Sequence, residues 1–405
     1  MRDPQTQRGE TMDQRRGGRA RVLHAIRRAG RIARVDIARA TGISAATVTA
    51  LTAELLGEGL IERTQDDQAS EAIRRGRPRE ALKIRGGARL VAGIKVSHRD
   101  FTVLLVDFEG TEIGVKEVAR TETASPPEGL ADAIVAATAA ACAAHGRVLS
   151  EVSGICVGLA GHVDGARGHV HWSSALDRRG VDMAPLLAAR APCPVFLEND
   201  ANLVAKAEQL FGRGRDVDDF VVVTVQHGIG LGVVLGGTLH RGARGCSGEL
   251  GHTKVTIDGA LCQCGQRGCL EAYAGGYGLR ARAAEAGLPE MDLDGLRAAE
   301  RAGDPAVLRL LADARRYFAL SLANLISILD PDLVILAVET DTVHPLCTPE
   351  VIDAVRRLSL SVDAPPTEIS VHAWGDRMWA EGAAAYGIER VEALSVARRT
   401  VVQPS

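Results

Sequence analysis

Four potential metal ligands lie close together in the middle of the chain. His252 is followed after nine residues by Cys262, after one more residue by Cys264 and after four more by Cys269. Three thiolates and one imidazole complete a tetrahedral shell for Zn²⁺ and leave no open position for an activated water. The alternative is a group of buried thiols without an ion. The spacing predicts a structural zinc site, around which the chain must turn tightly.

The composition narrows the class of protein further. The 405 residues include eight cysteines, and three of these fall within the segment 262–269. This crowding suits a metal site in a reducing compartment better than a disulfide framework. The sequence has no apolar run long enough to cross a membrane, and its first residues are polar and rich in arginine. We therefore expect a cytoplasmic protein without a membrane partner.

Charge is distributed unevenly along the chain. The net charge is −3, but Arg and Lys outnumber Asp and Glu in residues 1–89, whereas acidic residues prevail in the remainder. A basic head on an acidic body indicates a nucleic-acid module joined to a domain with another task. We predict a disordered tail over 1–17, a DNA-binding domain over 18–88, a second domain over 89–394 and another tail over 395–405.

Short helical segments in the basic head predict a helix-turn-helix. Gly42 can adopt the left-handed conformation of a tight turn, and Ser44 can cap the helix that follows. An isolated helical hairpin is the alternative. No Arg or Lys lies between Arg39 and Arg63, so the recognition helix cannot form a bidentate arginine–guanine pair. The candidate DNA contacts on this helix are Ser44, Ala45, Thr47 and Thr49.

A second DNA-binding element follows the helices. The segments 59–63 and 80–84 read as two strands of a wing, with an Arg-rich tip between them. Pro78 keeps the preceding residue extended, and an extended arginine can enter a narrow A·T-rich minor groove. A solvated Arg-rich linker is the alternative. The candidate contacts at the tip are Arg74, Arg75, Arg77 and Pro78.

Strands and helices alternate in the acidic body. Buried strands are expected at 90–96, 152–158 and 194–198, with an Ala-rich helix over about 127–144. This alternation is typical of an α/β fold that binds ligands near strand ends.

The zinc-site segment belongs to a longer series of motifs. It begins at Gly245-Cys-Ser-Gly-Glu-Leu-Gly-His252 and continues as Cys-x-Cys-Gly-x-x-Gly-Cys-Leu-Glu at 262–271. Further motifs are Gly158-x-x-Gly161-x-x-Asp164, Glu198-Asn-Asp-Ala-Asn202, Leu329-Asp-Pro331 and Gly382-Ala-Ala-Ala385. Together they resemble the signature of the ROK family (repressor, open reading frame, kinase) over nearly all of 90–390. The winged helix resembles the DNA-binding arm of the family's sugar-responsive repressors.

The resemblance implies a two-lobed, actin-like (sugar kinase/Hsp70-type) fold. Lobe 1 would cover about 89–198 together with the C-terminal helix, and lobe 2 about 199–375. It also implies a homodimer or higher homo-oligomer on a palindromic operator in double-stranded DNA. The residues that match the family's sugar-hydroxyl ligands are Asn199, Asp200, Glu249, His252 and Glu271.

The nucleotide side departs from the family's kinase pattern. The first phosphate turn reads Lys-Val-Ser-His-Arg-Asp at 95–100, the second reads Gln-His-Gly at 226–228, and the usual adenosine-side glycine pair is replaced at 337–339. We therefore predict no enzymatic activity, with Asp200, the position of the kinase base, retained only as a vestigial base.

Two functions follow from these patterns. The first is a transcriptional regulator, a repressor of carbohydrate-metabolism genes, controlled by a sugar. The alternative is an ATP-dependent sugar kinase of the hexokinase or glucokinase type with an accessory DNA-binding arm. Arg178 and Arg179 in a cleft loop could admit a phosphorylated or acidic sugar, or they could simply be solvated.

Overall fold

The computed structural model describes residues 4–65, 80–338, 344–375 and 377–397, with side chains from residue 15 onward. Its N-terminal head consists of helices α1 (Pro4–Ala29), α2 (Arg34–Thr41) and α3 (Ala45–Gly57) and strands β1 (Ile32–Ala33), β2 (Ile61–Gln65) and β3 (Glu80–Ile84). The predicted helix-turn-helix and wing are both confirmed. Gly42 has φ 67°, and Ser44 Oγ accepts a hydrogen bond from Thr47 N at 3.2 Å.

Helix α1 begins inside the segment that we expected to be a disordered tail. It starts at Pro4 and continues unbroken through the predicted domain boundary at residue 18. Arg15 forms an ion pair with Glu54 on α3, and Arg19 is paired with Glu58, the residue that follows that helix as its C-cap. Within 1–17, the Arg15–Glu54 pair thus connects α1 to α3, and the expected disordered tail stays a prediction.

The wing has one more strand than the sequence predicted. Within the described residues the sheet order is β1-β3-β2, and β1 pairs antiparallel with β3 through Ile32–Leu82 and Ala33–Ala81. A two-residue strand leaves no periodic signal, which explains why pattern analysis missed it. The tip residues Arg74, Arg75, Arg77 and Pro78 lie outside the described residues.

The first lobe of the body is built on a mixed sheet. Its elements are β4 (Leu90–Val96), β5 (Asp100–Asp107), β6 (Glu112–Ala119), α4 (Pro127–Ala144), β7 (Val152–Leu159), β8 (Gly161–Asp164), β9 (His169–Ser173), β10 (Val181–Asp182), α5 (Met183–Ala188) and β11 (Val195–Asn199). Within the described chain the five-stranded sheet has the order β11-β7-β4-β5-β6, and β8, β9 and β10 form a smaller sheet beside it.

The second lobe repeats the architecture. Its elements are α6 (Asp200–Leu210), β12 (Phe220–Val225), β13 (Ile229–Leu235), β14 (Thr238–Leu239), α7 (Glu271–Ala274), α8 (Gly276–Glu285), α9 (Leu293–Arg301), α10 (Pro305–Leu329), β15 (Leu333–Val338), α11 (Pro349–Leu358) and β16 (Glu368–Ala373). Its five-stranded sheet, again among the described residues, has the order β14-β13-β12-β15-β16.

The C-terminal helix α12 (Met378–Ala397) returns to pack on the first lobe. A Cβ atom at Gly93 of β4 would lie 2.3 Å from Ala384 N, so only glycine permits this close approach of sheet and helix. The helix extends past residue 395, where we expected a tail, and Ser395 and Val396 are buried. Residues 398–405 lie outside the described chain.

Among the described residues, no helix combines the length and the apolar character that crossing a membrane requires.

Candidate functional site

Two of the predicted sugar-binding residues lie where β11 ends and α6 begins. Asn199 is the N-cap of α6, and its Oδ1 accepts a hydrogen bond from Asn202 N at 3.2 Å. Asn199 Nδ2 donates to Gly161 O at 2.8 Å and to Asp200 Oδ1 at 3.1 Å. These contacts hold the amide and the carboxylate side by side at the junction between the two lobes.

Asp200 lies in an environment that disfavours its charge. Desolvation and, to a smaller extent, the nearby charge of Glu249 raise the pKa of Asp200 to about 6, against hydrogen bonds from Ala201 N and Asn199 that lower it. A carboxyl group with a pKa near neutrality can accept a hydroxyl hydrogen bond or take up a proton.

A buried carboxylate that we did not predict supports this pair. Glu198 is fully buried; its Oε1 accepts hydrogen bonds from Asn199 N at 3.0 Å and Asn202 Nδ2 at 2.9 Å. Its Oε2 accepts from Arg241 Nε at 2.7 Å. The sequence motif contained Glu198, but its partner Arg241 lies 43 residues away. A single sequence carries no signal for such a pair.

The remaining candidate residues of the cleft also belong to the second lobe, after β14. Glu249 Oε2 lies 3.9 Å from His252 Nε2, and Glu271 Oε2 accepts a hydrogen bond from Ile229 N at 2.9 Å. Burial raises the pKa of Glu249, the neighbouring His252 opposes this, and the charge of Glu271 adds to it. The structure thus places Glu249, His252 and Glu271 near one another, with the charge of Glu249 reaching Asp200.

His162 is a further residue at this cleft that we did not predict. Its Nε2 lies 3.6 Å from Glu249 Oε1, and its ring stands edge-on to those of Trp172 and His252, each with centroids 6.1 Å away. The guanidinium of Arg179 lies 5.9 Å from the Trp172 ring centroid. Burial lowers the pKa of His162, with smaller contributions from His171 and Arg179.

Arg178 and Arg179, the two arginines of the cleft loop, therefore have different surroundings. Arg178 faces away and contacts Glu128 at 3.2 Å, as a solvated surface pair does, whereas Arg179 lies on the cleft side of the loop.

The predicted metal ligands converge. One donor atom from each of His252, Cys262, Cys264 and Cys269 lies within 4.8 Å of the others. Cys264 Sγ and Cys269 Sγ are 3.7 Å apart, and Cys262 Sγ is 3.6 Å from His252 Nδ1. A tetrahedral zinc ion with Zn–S bonds of about 2.3 Å requires about 3.8 Å between two sulfurs and about 3.6 Å between sulfur and nitrogen. The donor set fits the ion.

Two further groups surround the donors. Lys254 Nζ lies 2.8 Å from Cys269 Sγ, and Tyr277 Oη lies 3.1 Å from Cys262 Sγ. Such outer contacts stabilise thiolate charge and orient the ligands. His252 presents Nδ1 to this centre and Nε2 to Glu249, so one imidazole belongs to both the metal centre and the cleft.

The turns at the nucleotide side are occupied by side chains. His227 in the β12–β13 turn contacts Arg280 Nη2 at 3.1 Å and packs against Tyr277 with ring centroids 5.5 Å apart. In the β4–β5 turn, Ser97 Oγ donates to Asp100 Oδ1 at 2.9 Å. Burial, and then Arg280, lower the pKa of His227. Ala337 and Val338 are buried in β15, and Glu339 lies outside the described residues.

The predicted DNA contacts on α3 are exposed at its first turns. Ser44 Oγ and Thr47 Oγ1 are 2.8 Å apart, and Thr49 Oγ1 donates to Ala45 O at 2.8 Å. The methyl groups of Ala45, Thr47 and Thr49 remain on the outer face of the head.

The head is attached to the body by a nearly buried ion pair. Arg27 Nε on α1 lies 2.9 Å from Glu392 Oε2 on α12, and the two side chains are 8% and 12% exposed. Arg27 Nη1 also donates to Phe108 O at 2.7 Å, and its guanidinium stacks over the Phe108 ring. Residues of the head and of the first lobe share one hydrophobic cluster, in which Ile26, Val106 and Ile388 are buried.

Comparison with known proteins decides the family. The model of the ROK family matches residues 91–389, which is most of the chain. The chain belongs to the ROK family. A MarR family model matches residues 15–70, in agreement with the winged helix-turn-helix of the head. The predicted family and fold class are both confirmed.

Relatives in the ROK family fall into two groups. This chain is 26% identical to the transcriptional dual regulator NagC of Escherichia coli, over 84% of this chain and 85% of that one. It is 28% identical to the xylose repressor of Bacillus subtilis, over 80% and 83%. It is 32% identical to a glucokinase of Streptomyces coelicolor, over 61% of this chain and 77% of the glucokinase.

Solved structures share the fold of this chain. A ROK family transcriptional regulator, described as a homologue of the E. coli MLC protein, superposes with a TM-score of 0.78 over 95% of this chain and 98% of that one, at 24% identity. That likeness concerns the fold alone. A ROK hexokinase from Thermus thermophilus superposes with a TM-score of 0.63 over 74% and 97%, at 32% identity.

Proposed function

We propose that this protein is a DNA-binding transcriptional repressor of carbohydrate-metabolism genes whose operator affinity is controlled by a sugar bound between its two lobes. One observation carries the proposal: a winged helix-turn-helix is packed onto a sugar-kinase-like body through the nearly buried Arg27–Glu392 pair. Because the head is docked on the body, a change in the body can change the position of the recognition helix.

The relatives support a repressor over a kinase. The relatives named as regulator and repressor align with this chain over 84% and 80% of its length, whereas the Streptomyces glucokinase aligns over 61%. The nucleotide-side turns also carry His227 and Arg99 where phosphates would need room and backbone amides. We therefore favour a protein without enzymatic activity.

The effector we propose is a sugar or sugar derivative. Carboxylates and an amide can accept from and donate to vicinal hydroxyls, and such buried groups reject ligands that leave them unpaired. Arg179 and His162 beside Trp172 suit a sugar with an additional acidic or phosphate group. The proposed hydroxyl ligands are Asn199, Asp200, Glu249, His252 and Glu271.

The metal we propose is a structural Zn²⁺ held by His252, Cys262, Cys264 and Cys269. When bound, the ion supplies a rigid cross-link and no reactive position, because four protein ligands complete its shell. His252 then keeps Nδ1 for the metal and Nε2 for the cleft, which fixes its tautomer and orientation toward a sugar hydroxyl.

The DNA partner we propose is a palindromic, A·T-rich operator bound by a homodimer. Thr47 and Thr49 offer methyl groups to thymine, and the absence of Arg and Lys between Arg39 and Arg63 excludes strong guanine readout by α3. Affinity would then come from phosphates and from the wing-tip arginines in the minor groove. These arginines are Arg74, Arg75 and Arg77, and Pro78 is the fourth residue that we propose at the tip.

The control mechanism is thermodynamic linkage. A sugar that contacts Asn199, at the end of β11 in the first lobe, and Asp200, Glu249 and His252 in the second lobe favours the closed cleft. If the closed body holds the two heads of a dimer at a spacing unsuited to the operator, sugar weakens DNA binding. Operator DNA then weakens sugar binding by the same factor.

Fluorescence anisotropy on a selected operator fragment tests the proposal. A panel of hexoses, pentoses, amino sugars and their phosphates is first screened by thermal shift, since a true ligand raises the melting temperature by mass action. The sugar that binds should then weaken operator affinity. Equal operator affinity with and without that sugar would remove the control mechanism.

A kinase remains the second candidate because of one residue. Asp200 lies at the position of the family's base, and its pKa of about 6 suits proton abstraction from a hydroxyl. A coupled assay for ADP release with the same sugar panel decides the question. Turnover that disappears in Asp200→Asn would establish the kinase.

A further inference from the structure

A cavity of about 240 Å³ lies between the head and the body. The head contributes His24, Arg27 and Arg28 from α1. The body contributes residues from the end of α6, from the segment around β14 and from α12. Among the described residues, none of those assigned above to sugar, metal or DNA lines it. The cavity is therefore separate from the proposed sugar, metal and DNA sites, although the Arg27–Glu392 pair and Arg241 lie in its walls.

Positive charge prevails in its walls. Among the described lining residues, five permanent cations face three carboxylates: Arg27, Arg28, Lys206, Arg215 and Arg241 against Asp218, Glu389 and Glu392. Glu392 is paired with Arg27, and Glu389 is paired with Lys206. Two carboxylates are thus neutralised within the lining.

Arg241 is paired with the buried Glu198, outside the lining. Of the two remaining cations, Arg215 has no carboxylate contact among the described residues, and Arg28 contacts only carboxylates that are largely exposed. Arg215 Nη2 donates to the backbone carbonyl of Arg28 at 2.7 Å, a contact that brings no negative charge. Arg28 lies 3.7 Å from Asp218 and 3.2 Å from Asp216, whose side chains are 71% and 82% exposed, so water screens both pairs. Two guanidinium groups at the mouth of one cavity are typical of a site for a phosphate or a carboxylate.

The remaining walls suit a carbon skeleton. Leu210, Val217, Leu239 and Ile388 line the cavity beside the cations. Its volume corresponds to about eight water molecules at liquid density, which is enough for a small metabolite. Apolar walls with a few convergent charges are the usual composition of a small-molecule site.

We propose that this cavity is a second ligand site, for a small organic anion that bears a phosphate or carboxylate group. Such a ligand touches α1 of the head and α6 and α12 of the body at once, so it favours the docked arrangement of the two. Arg241 connects the cavity to the cleft, because it holds Glu198, which in turn accepts from Asn199 N. Occupancy at this second site would adjust the response to sugar.

Calorimetric titration of the full chain tests the second site with three matched probes: glycerol, glycerate and glycerol 3-phosphate. We expect at least one of the two anions to bind at least about tenfold more tightly than glycerol. Arg28→Met and Arg215→Met should each lower the affinity for that anion by about fivefold or more. Arg356→Met, which removes an exposed arginine on α11, should leave this affinity unchanged. Asp200→Asn should leave anion binding unchanged, which separates this site from the sugar cleft.

Three outcomes would overturn the second site. They are binding of neither anion, binding of glycerol as tight as that of the anions, and equal anion affinity in Arg215→Met and Arg356→Met. Melting temperatures of the variants close to that of the parent chain show that a lost affinity reflects the site rather than the fold. If the second site fails these tests, the proposal of a sugar-controlled repressor still stands, because the sugar assays do not use this cavity.

Discussion

Arg241 and Glu198 join the two lobes through a hydrogen bond of 2.7 Å. Glu198 belongs to β11 of the first lobe and is fully buried, whereas Arg241 follows β14 of the second lobe. The remaining oxygen of Glu198 holds Asn199 and Asn202 at the start of α6. The pair therefore sets both the attachment of the lobes and the position of a proposed sugar ligand.

Removing one member of this pair should be costly. Arg241→Met leaves the Glu198 carboxylate buried without its counter-ion, and we expect a loss of about 3–5 kcal/mol in the free energy of unfolding. Chemical denaturation measures it. Glu198→Gln combined with Arg241→Met should lose less than the two single losses added together. Strict additivity would show that the two side chains do not interact energetically.

Metal content tests the four-ligand centre. Purified protein should contain about one zinc per chain by elemental analysis, and Cys264→Ser should lower this and reduce the melting temperature. Cys193→Ser is the matched control, because Cys193 is a half-buried free thiol in the first lobe and far along the chain from the cluster. Full zinc content in Cys264→Ser would contradict the assignment.

Sugar affinity should depend on pH through Asp200. The pKa of Asp200 is raised to about 6, so its carboxylate, the better hydroxyl acceptor, becomes populated as pH rises through that value. We expect affinity to rise by about tenfold between pH 5 and pH 7, with a flatter profile in Asp200→Asn. Glu249, whose pKa is also raised, supplies the residual slope. An unchanged slope in Asp200→Asn would assign the effect to other groups.

The raised pKa of Asp200 also makes the free energy of unfolding depend on pH in a definite direction. Because the pKa of Asp200 in the folded chain lies above its ordinary value, the folded state binds more protons between the two values. The contribution of this group to the free energy of unfolding therefore falls as pH rises from about 4 through about 6. Denaturation of the parent chain and of Asp200→Asn across this range should converge at low pH and diverge near neutrality, with the variant the more stable.

Ser44 allows capping to be separated from DNA contact. Ser44→Ala removes the side chain that accepts from Thr47 N and should cost about 1 kcal/mol of stability. Ser44→Asp keeps the cap and should restore stability, but its charge near the phosphates should still weaken operator binding. Full operator affinity in Ser44→Asp would place this end of α3 away from the DNA.

The wing tip should supply affinity that depends on salt. Arg77→Ala should weaken operator binding severalfold and reduce its salt dependence, because one cation leaves the phosphate backbone or the minor groove. Arg356→Ala removes an arginine from the body and is the control. Equal binding by the two variants would exclude a role for the wing tip in the minor groove.

Local patterns predicted the parts of the fold that local physics determines. The helix at 127–144 and the turn at Gly42 matched the structure because amphipathic periodicity and a positive φ each depend on neighbouring residues. The contact between Arg15 of α1 and Glu54 of α3 joins residues 39 positions apart, so no local pattern contains it.

The residues of the candidate site differ in the same way: local sequence predicts some of them and not others. The four metal donors lie within one short segment, so spacing alone predicted their convergence. His162 and Arg241 reach the cleft from distant segments, and their roles became visible only when the chain was folded.

Helix α6 reaches from the proposed sugar cleft to the cavity between the head and the body. It begins at Asp200, in the cleft, and its far end carries Gln209 and Leu210, which border the head. Eleven residues make a rod of about 16 Å. A tilt of about 4° at the cleft end would displace the far end by about 1 Å. A structural change at the cleft can therefore reach the head through movement of α6 alone, without a series of side-chain rearrangements, because this helix contacts both.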